Sequence, residues 1–312
     1  MTSRRKKIAS RRERRHRSPG RVSLVNEQMM NMKLAVAAGL LLGATVVQAD
    51  ENPFGYLYAT DVLPKGKWEV EQWVTTRHGK ESGTFFAADL RTEIEYGITD
   101  KLQGALYLNY NYFNLHNAQG SSGPFANRNR FGVSGTSAEF KYQVLSPYKD
   151  SFGLAFYVEP GFGTIESKSG ERHQEIELEG KILLEKHWLE DSLIGALNYT
   201  IEPEWEKSGG SSSFDLNLKM EWGAGLAYRI APHWHVGLET RLQTEFAGAD
   251  LNQSEFVTAF AGPSVHYASG RWWATLTVMP QVAGWPDAQG TGGLHLHDHE
   301  RLEVRLKIGF NF

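Results

Sequence analysis

The last thirteen residues, ERLEVRLKIGFNF, constrain the fold more than any other stretch of the chain. Leu302, Val304, Leu306, Ile308, Phe310 and Phe312 fall at every second position, with Glu303, Arg305, Lys307 and Asn311 between them. A period of two is a strand with one apolar and one polar face; a helix would scatter the same residues around its circumference. The alternation recurs upstream. Leu90, Thr92, Ile94 and Tyr96 alternate with Arg91, Glu93 and Glu95, and Leu216, Leu218, Met220 and Trp222 with Asp215, Asn217, Lys219 and Glu221. About twelve segments carry it, at residues 66–77, 86–97, 101–113, 131–145, 151–164, 173–187, 192–204, 214–230, 233–247, 254–268, 271–284 and 299–312. Most are longer than the ~5–6 residues usual in soluble sheets and fit tilted membrane strands of ~9–11 residues with overhang. Within 254–268 the phase breaks near Gly262 and Pro263, as a bulge would break it.

The connections alternate in length. ITDK, SPYKD, LEDS, APH and ASG are short; between them lie longer ones such as HNAQGSSGPFANRNR and EKSGGSSS. Short turns at one end and long loops at the other are the outer-membrane pattern, and an even strand count puts both termini at the short-turn end. Trp68, Tyr96, Tyr142, Phe152, Tyr228, Trp234 and Trp272 sit on apolar faces near the short turns, and Tyr112, Phe162, Phe246 and Phe256 near the long loops. Two such girdles mark the interfaces of a membrane barrel. No apolar run reaches the ~20 residues of a spanning helix, and a barrel needs none. The expected fold is all-β, a transmembrane antiparallel up-and-down β-barrel of about 12 strands over residues 66–312, set among outer-membrane lipids of a Gram-negative cell. A soluble β-sandwich is the competing fold, but its turns would not alternate in length.

Upstream of the strands the chain carries an address. Residues 33–49, KLAVAAGLLLGATVVQA, put a lysine before an apolar stretch ending in small residues. With Val47 and Ala49 at the −3 and −1 positions, 32–49 reads as a secretory signal peptide cut between Ala49 and Asp50. Residues 1–31 hold ten Lys/Arg in their first 21 positions. They read as an over-called start, with Met29, Met30 or Met32 as initiator; an extended n-region is the alternative. A basic nucleic-acid arm fits poorly before an export signal, so no nucleic-acid partner is expected. Residues 50–65, with Phe54, Tyr56 and Tyr58, form either a periplasmic tail or a plug folded into the lumen. The absence of cysteine excludes a disulfide framework, a thiolate metal site and a lipidated cysteine anchor.

The terminal Phe312, with Phe310 and the alternating residues before it, resembles the C-terminal signature of bacterial outer-membrane barrels. That resemblance implies recognition by the barrel-assembly machinery. The stretches ENPFGYLYATDVLPKGKWEVEQW and LRTEIEYGITDKLQGALYLNY resemble a group of uncharacterised proteobacterial outer-membrane proteins, near the putative channel family linked to the meta-pathway of phenol degradation. The resemblance implies architecture and brings no catalytic motif. The inward positions here are charged, where a route for hydrophobic phenols calls for apolar ones.

Those inward positions are the candidate site. Residues 1–49 take eleven basic and two acidic residues, leaving 22 Lys/Arg against 34 Asp/Glu in the rest. By strand phase Glu69, Glu71, Asp89, Glu93, Glu95, Glu139, Glu159, Glu175, Glu177, Glu179, Glu185, Glu202, Glu204, Asp215, Glu221, Glu239, Glu245 and Glu303 point inward. Arg91, Lys141, Lys181, Lys219, Arg229, Arg241, Arg305 and Lys307 join them. Carboxylate-lined passages attract cations and repel anions, so the first reading is a passive channel for small polar or cationic solutes. The second is a closed barrel whose lumen is filled by ion-paired side chains and whose long loops carry its function.

A third reading, an outer-membrane lipid hydrolase, needs a Ser/His pair at the outer rim. His187, His233, His235 and His266 lie near the short turns instead, with no serine convincingly opposite any of them, so no enzyme and no cofactor are expected. Glu175, Glu177 and Glu179 form a carboxylate ladder that reads as an ordinary wet face, with Ca²⁺ as the sharper alternative. His295, His297 and His299 share one side if 295–299 is extended, and would then offer weak Zn²⁺ or Cu²⁺ binding at the mouth. A solvated loop is the plainer reading.

Overall fold

The computed structural model describes residues 52–121, 123–208, 211–248, 251, 254–287 and 292–312. The extension 1–31, the signal segment 32–49 and the cleavage site at Ala49 and Asp50 lie outside them. The strands are β1 (Trp68–His78), β2 (Thr84–Thr99), β3 (Leu102–His116), β4 (Gln119–Gly120), β5 (Gly123–Pro124), β6 (Arg128–Leu145), β7 (Gly153–Ile165), β8 (Arg172–Trp188), β9 (Leu193–Ser208), β10 (Asp215–Ala231), β11 (Trp234–Ala247), β12 (Ser254–Ser269), β13 (Trp272–Trp285) and β14 (Leu302–Asn311). Twelve of them close a barrel in which each strand is antiparallel to both neighbours, and β1 completes the ring by pairing with β14. The two-residue strands β4 and β5 pair only with each other, as a small ribbon in the loop between β3 and β6.

Period-two sequence becomes two-sided wall. Along β1, Glu69, Glu71, Trp73, Thr75 and Arg77 are buried inside, while Trp68 faces out at 48% exposure. The outer face carries Leu106, Phe131, Leu226, Leu238 and Leu242, all large, apolar and exposed. A continuous apolar exterior is a liability in water and the natural surface of a barrel in hydrocarbon. Near the short turns Trp68 packs on Tyr96 at 4.4 Å between ring centroids, and Trp234 on Tyr267 at 4.8 Å, both tilted. A closed ring of this kind excludes the two-layer sandwich.

Two expectations fail locally. The last strand begins at Leu302, so residues 299–301 belong to the preceding loop. In β12 the inward phase runs unbroken from Phe256 through Gly262 to His266, although the ladder to β13 is interrupted between Phe260 and Ser264. One register shift falls at Ala259/Phe260 against β13 and another at Glu245/Phe246 against β11. Phe256 keeps the inward phase of β12 and lies opposite the inward Glu245, which puts this ring in the interior and not in the outer girdle. Gly262 is required by close approach, since a Cβ there would stand 1.8 Å from the carbonyl oxygen of Val278.

Candidate functional site, the barrel interior

The interior has three levels. At the turn end, residues 52–64 lie against the inner wall. Glu239 accepts the backbone N–H groups of Gly55 at 2.9 Å, Tyr56 at 2.8 Å and Leu57 at 3.3 Å. The Tyr58 N–H donates to Asn198 Oδ1 at 2.6 Å, that of Thr60 to Glu185 Oε2 at 2.7 Å, and that of Leu63 to Gln103 Oε1 at 2.8 Å. These bonds satisfy the backbone of a segment that joins no sheet. Apolar contacts add to them. Phe54 and Leu57 pack on Ala196 and Ala227, and Tyr56 on Phe260 and Met279. The guanidinium groups of Arg305 and Arg241 lie 4.0 and 4.4 Å from the Tyr56 ring, within cation–π range.

Above this segment is a cavity of about 460 Å³. Its wall carries the carboxylates of Asp89, Glu159, Glu175, Glu177, Glu179, Glu202, Glu204, Glu221, Glu245, Asp298, Glu300 and Glu303. The Lys and Arg side chains in the same wall are Arg77, Arg91, Lys168, Lys181, Lys219, Arg241 and Arg305. Much of the charge is paired. Arg91 meets Glu159 at 3.1 Å, Lys181 meets Glu179 at 2.5 Å, and Arg241 bridges Glu221 at 2.8 Å and Glu303 at 3.0 Å. Lys219 is bonded to Glu204, and Lys168, from the loop after β7, to Glu245 at 3.0 Å.

The third level is the loop end. Arg77 donates to Asp89, to Glu300 at 2.8 Å and to the Ser167 carbonyl at 2.6 Å, tying β1 to β2 and to two loops. Lys80 reaches Glu300 at 3.3 Å and the Asp298 carbonyl at 2.6 Å, and Ser121 donates to the Asp298 carboxylate at 2.6 Å. Burial alone would raise the Glu300 carboxyl, but the Lys80 ammonium and Arg77 guanidinium hold it down at about 2. Burial also pulls the Lys80 ammonium below its ordinary value, so Arg77 is the firmer partner. Beneath these polar contacts Phe85, Phe113, Leu115, Ala118 and Ile165 form an apolar cluster with Phe125 packed on it.

Most inward positions read from the sequence are found in this interior. Glu69, Glu71, Glu93, Glu95, Glu139, Lys141, Glu159, Glu185, Glu204, Glu239, Glu245, Glu303 and Lys307 are buried. Arg91, Glu175, Glu177, Glu179, Lys181, Glu202, Lys219, Glu221, Arg241 and Arg305 line the cavity. Arg229 departs from the pattern, because its guanidinium turns to the short connection and donates to the Glu190 carbonyl and Ser192 hydroxyl. Asp215 is exposed at the first position of β10, opposite Glu206.

The common face drawn for His295, His297 and His299 does not form. Residues 296–298 make a turn, and a turn sends neighbouring side chains in different directions. His295 Nε2 pairs with Asp298 at 2.8 Å while its ring stacks on Phe256 at 5.3 Å, His297 pairs with Glu81 at 2.6 Å, and the His299 ring meets Phe256 edge-on at 4.6 Å. Of the histidines near the short turns, His187 lies between Glu185 at 2.5 Å and Asp191 at 3.1 Å. His266 Nδ1 meets Thr275 Oγ1 at 2.8 Å.

Sequence reasoning passed over Asn198, Gln103, Arg77 and Lys80, which hold the segment and the loops. It also passed over the inward aromatic rings Trp73, Tyr107 and Tyr157. The three rings were findable, since each sits in the charged phase of its strand.

A model of a family of unknown function, DUF6662, matches residues 46–312. The chain belongs to this family. No curated protein matches it. Among solved structures, this DUF6662 barrel is similar to the COG4313 outer membrane channel from Pseudomonas putida F1, at 13% identity and a TM-score of 0.53, over 81% of this chain and 98% of that one. At that identity the likeness is one of fold, an outer-membrane β-barrel. A more distant likeness is to the KdgM porin solved with a disordered oligogalacturonate, at 12% identity and a TM-score of 0.41, over 78% of this chain and 99% of that one.

Proposed function

We propose that this DUF6662 protein is a passive outer-membrane channel for small polar or cationic solutes, closed at its turn end by residues 52–64 acting as a plug. The observation that carries the reading is the composition of the central cavity, twelve carboxylates against seven Lys/Arg side chains. In a low-dielectric wall an excess of carboxylates attracts cations and repels anions. Passage requires the plug to shift, so conduction is gated.

Several further assignments belong to the same reading. Residues 32–49 are an export signal cut before Asp50, preceded by an extension over 1–31. The short turns face the periplasm, and Phe310 and Phe312 are read by the barrel-assembly machinery. Kinship with the phenol-degradation channel family is part of it too, with a solute more polar than a phenol. No catalytic step is included.

A second reading, a permanently closed barrel acting through its loops, is favoured by one observation. Six backbone N–H groups of the segment are bonded to side chains of the inner wall. Conductance separates the two. The chain from Asp50 is refolded into a planar bilayer under a KCl gradient, beside Glu239→Ala, which frees the plug. Stable steps with a cation-selective reversal potential, in wild type or in the loosened variant, are the expected result. Silence from both, with heat-modifiable folded barrels, overturns the channel and leaves the closed barrel.

A further inference from the structure

Five carboxylates meet on the inner wall near the turn end, apart from the central cavity. Across the β1–β2 ladder Glu69 stands directly opposite Glu95, and Glu71 directly opposite Glu93. Glu139 of β6 lies opposite Ala105 of β3, whose other neighbour is Glu95. All five are at most 5% exposed. Like charges directly opposite one another in a ladder repel, and burial removes the water that would screen them. The ammonium groups on this part of the wall are Lys141 and Lys307, the latter 3.4 Å from Glu71. Five carboxylates and two ammonium groups leave an excess of negative charge that a buried site must balance.

The neutral donors are already in use. The Trp73 and Trp273 indoles donate to Glu71 and Glu69, Gln103 donates to Glu95 at 2.7 Å, and the Tyr107 hydroxyl donates to Glu139. Glu93 is different. It is 1% exposed, and its Oε2 is buried with no hydrogen-bond partner. One oxygen each from Glu93, Glu95 and Glu139 lies within 4.8 Å of the other two, and a second such group, Glu69, Glu71 and Glu95, shares Glu95. Oxygens ~2.3–2.6 Å from a single Ca²⁺ stand at most ~5 Å apart, so this spacing suits one ion. The donor set is all oxygen, which selects a hard cation over zinc or copper.

We propose that Glu93, Glu95 and Glu139 hold one divalent cation of the Ca²⁺ type, with Glu69 and Glu71 supplying further negative charge beside it. The site is tied to the N-terminal segment. Leu63 donates its N–H to Gln103, and Gln103 donates its amide to Glu95. Gly97, two residues past Glu95, lets the Pro64 carbonyl approach so closely that a Cβ would stand 2.2 Å from its oxygen. The ion therefore fastens the segment to the wall through Gln103, and the inference holds whether or not the barrel conducts.

Terbium is the probe, because Tyr107 and Trp73 border the site and sensitise its emission. The full chain, folded in detergent and stripped with EDTA, is titrated with Tb³⁺ under aromatic excitation. Emission that Ca²⁺ displaces is expected, weakened about tenfold or more in Glu93→Gln and Glu139→Gln and kept in Glu255→Gln, which removes a charge elsewhere. Ca²⁺ should also raise the melting temperature of the stripped wild-type protein, a readout independent of any variant. A dark titration with no Ca²⁺-dependent melting shift overturns the proposal and leaves protons balancing the charge. Emission that survives in both variants, with heat-modifiable migration proving them folded, overturns it by placing the ion elsewhere.

Discussion

Glu239 is fully buried, and its carboxylate takes the N–H groups of Gly55, Tyr56 and Leu57 together with the Thr277 hydroxyl. Four donors converge on one side chain, so its removal strands all of them in an interior without bulk water. Glu239→Ala should cost about 3 kcal/mol or more of stability, and Glu239→Gln less, because its carbonyl still accepts. Denaturant unfolding in detergent measures both; equal costs would show that the carboxylate is not the anchor. The inward phase of Glu239 was legible from its neighbours Leu238 and Thr240. Its three partners in the segment were not, because they lie more than 180 positions away in the chain and only the folded barrel brings them together. Trp73 was passed over for a different reason. An aromatic ring in a charged phase looks like an exception to the pattern, whereas here it stands among charges, with Lys307 4.0 Å and Arg91 5.4 Å from its ring.

The strands were the legible elements. Their faces meet two different media, so the alternation is imposed residue by residue and needs no knowledge of pairing. Loops obey no such rule. Nothing in HNAQGSSGPFANRNR announces the ribbon of β4 and β5, and the alternation of β14 invited extension back through His299, where the chain in fact turns. The loop contacts that close the upper end depend on charge, and acid should loosen them. Glu300 is held near 2 in the folded state against an ordinary value of 4.5. A depressed carboxyl contributes its stability in full above the ordinary value and loses it as pH falls towards the folded one. The protection of amides 292–301, measured as exchange relative to the intrinsic rate at each pH, should therefore be high above pH 4.5 and fall as pH drops towards 2, with the barrel strands still protected. Glu300→Gln should show fast exchange already at neutral pH. Protection in that variant equal to wild type would remove Glu300 from the closure.

At the scale of the whole molecule, two surfaces of opposite character share one wall about one strand thick. The outer belt needs hydrocarbon and the inner face needs water, ions or partners, and neither would be stable in the other's place. In the proposed channel the balance of charge inside would set what can enter. Glu177→Lys combined with Glu202→Lys reverses two carboxylates of the cavity. If ions pass this way, the reversal potential in a KCl gradient should move towards anions by several-fold in permeability ratio, since the field in a narrow low-dielectric passage follows its fixed charges. An unchanged ratio in a conducting barrel would put the selective region elsewhere. The architecture was legible at this scale because short and long connections alternate. The occupancy of the lumen was not, because residues 52–64 lack the periodicity that would have assigned them to a wall.

The seam between β1 and β14 carries a consequence for biogenesis. These strands are the first and last of the ring, so the cylinder stays an open sheet until the final strand arrives. Residues 52–64 lead directly into β1 and end up enclosed. They can be enclosed as the two edges meet, or enter afterwards through the turn end, where they join β1. If they are enclosed at that moment, zipping the seam also loads the lumen, and whatever guides the last strand home would decide what is left inside.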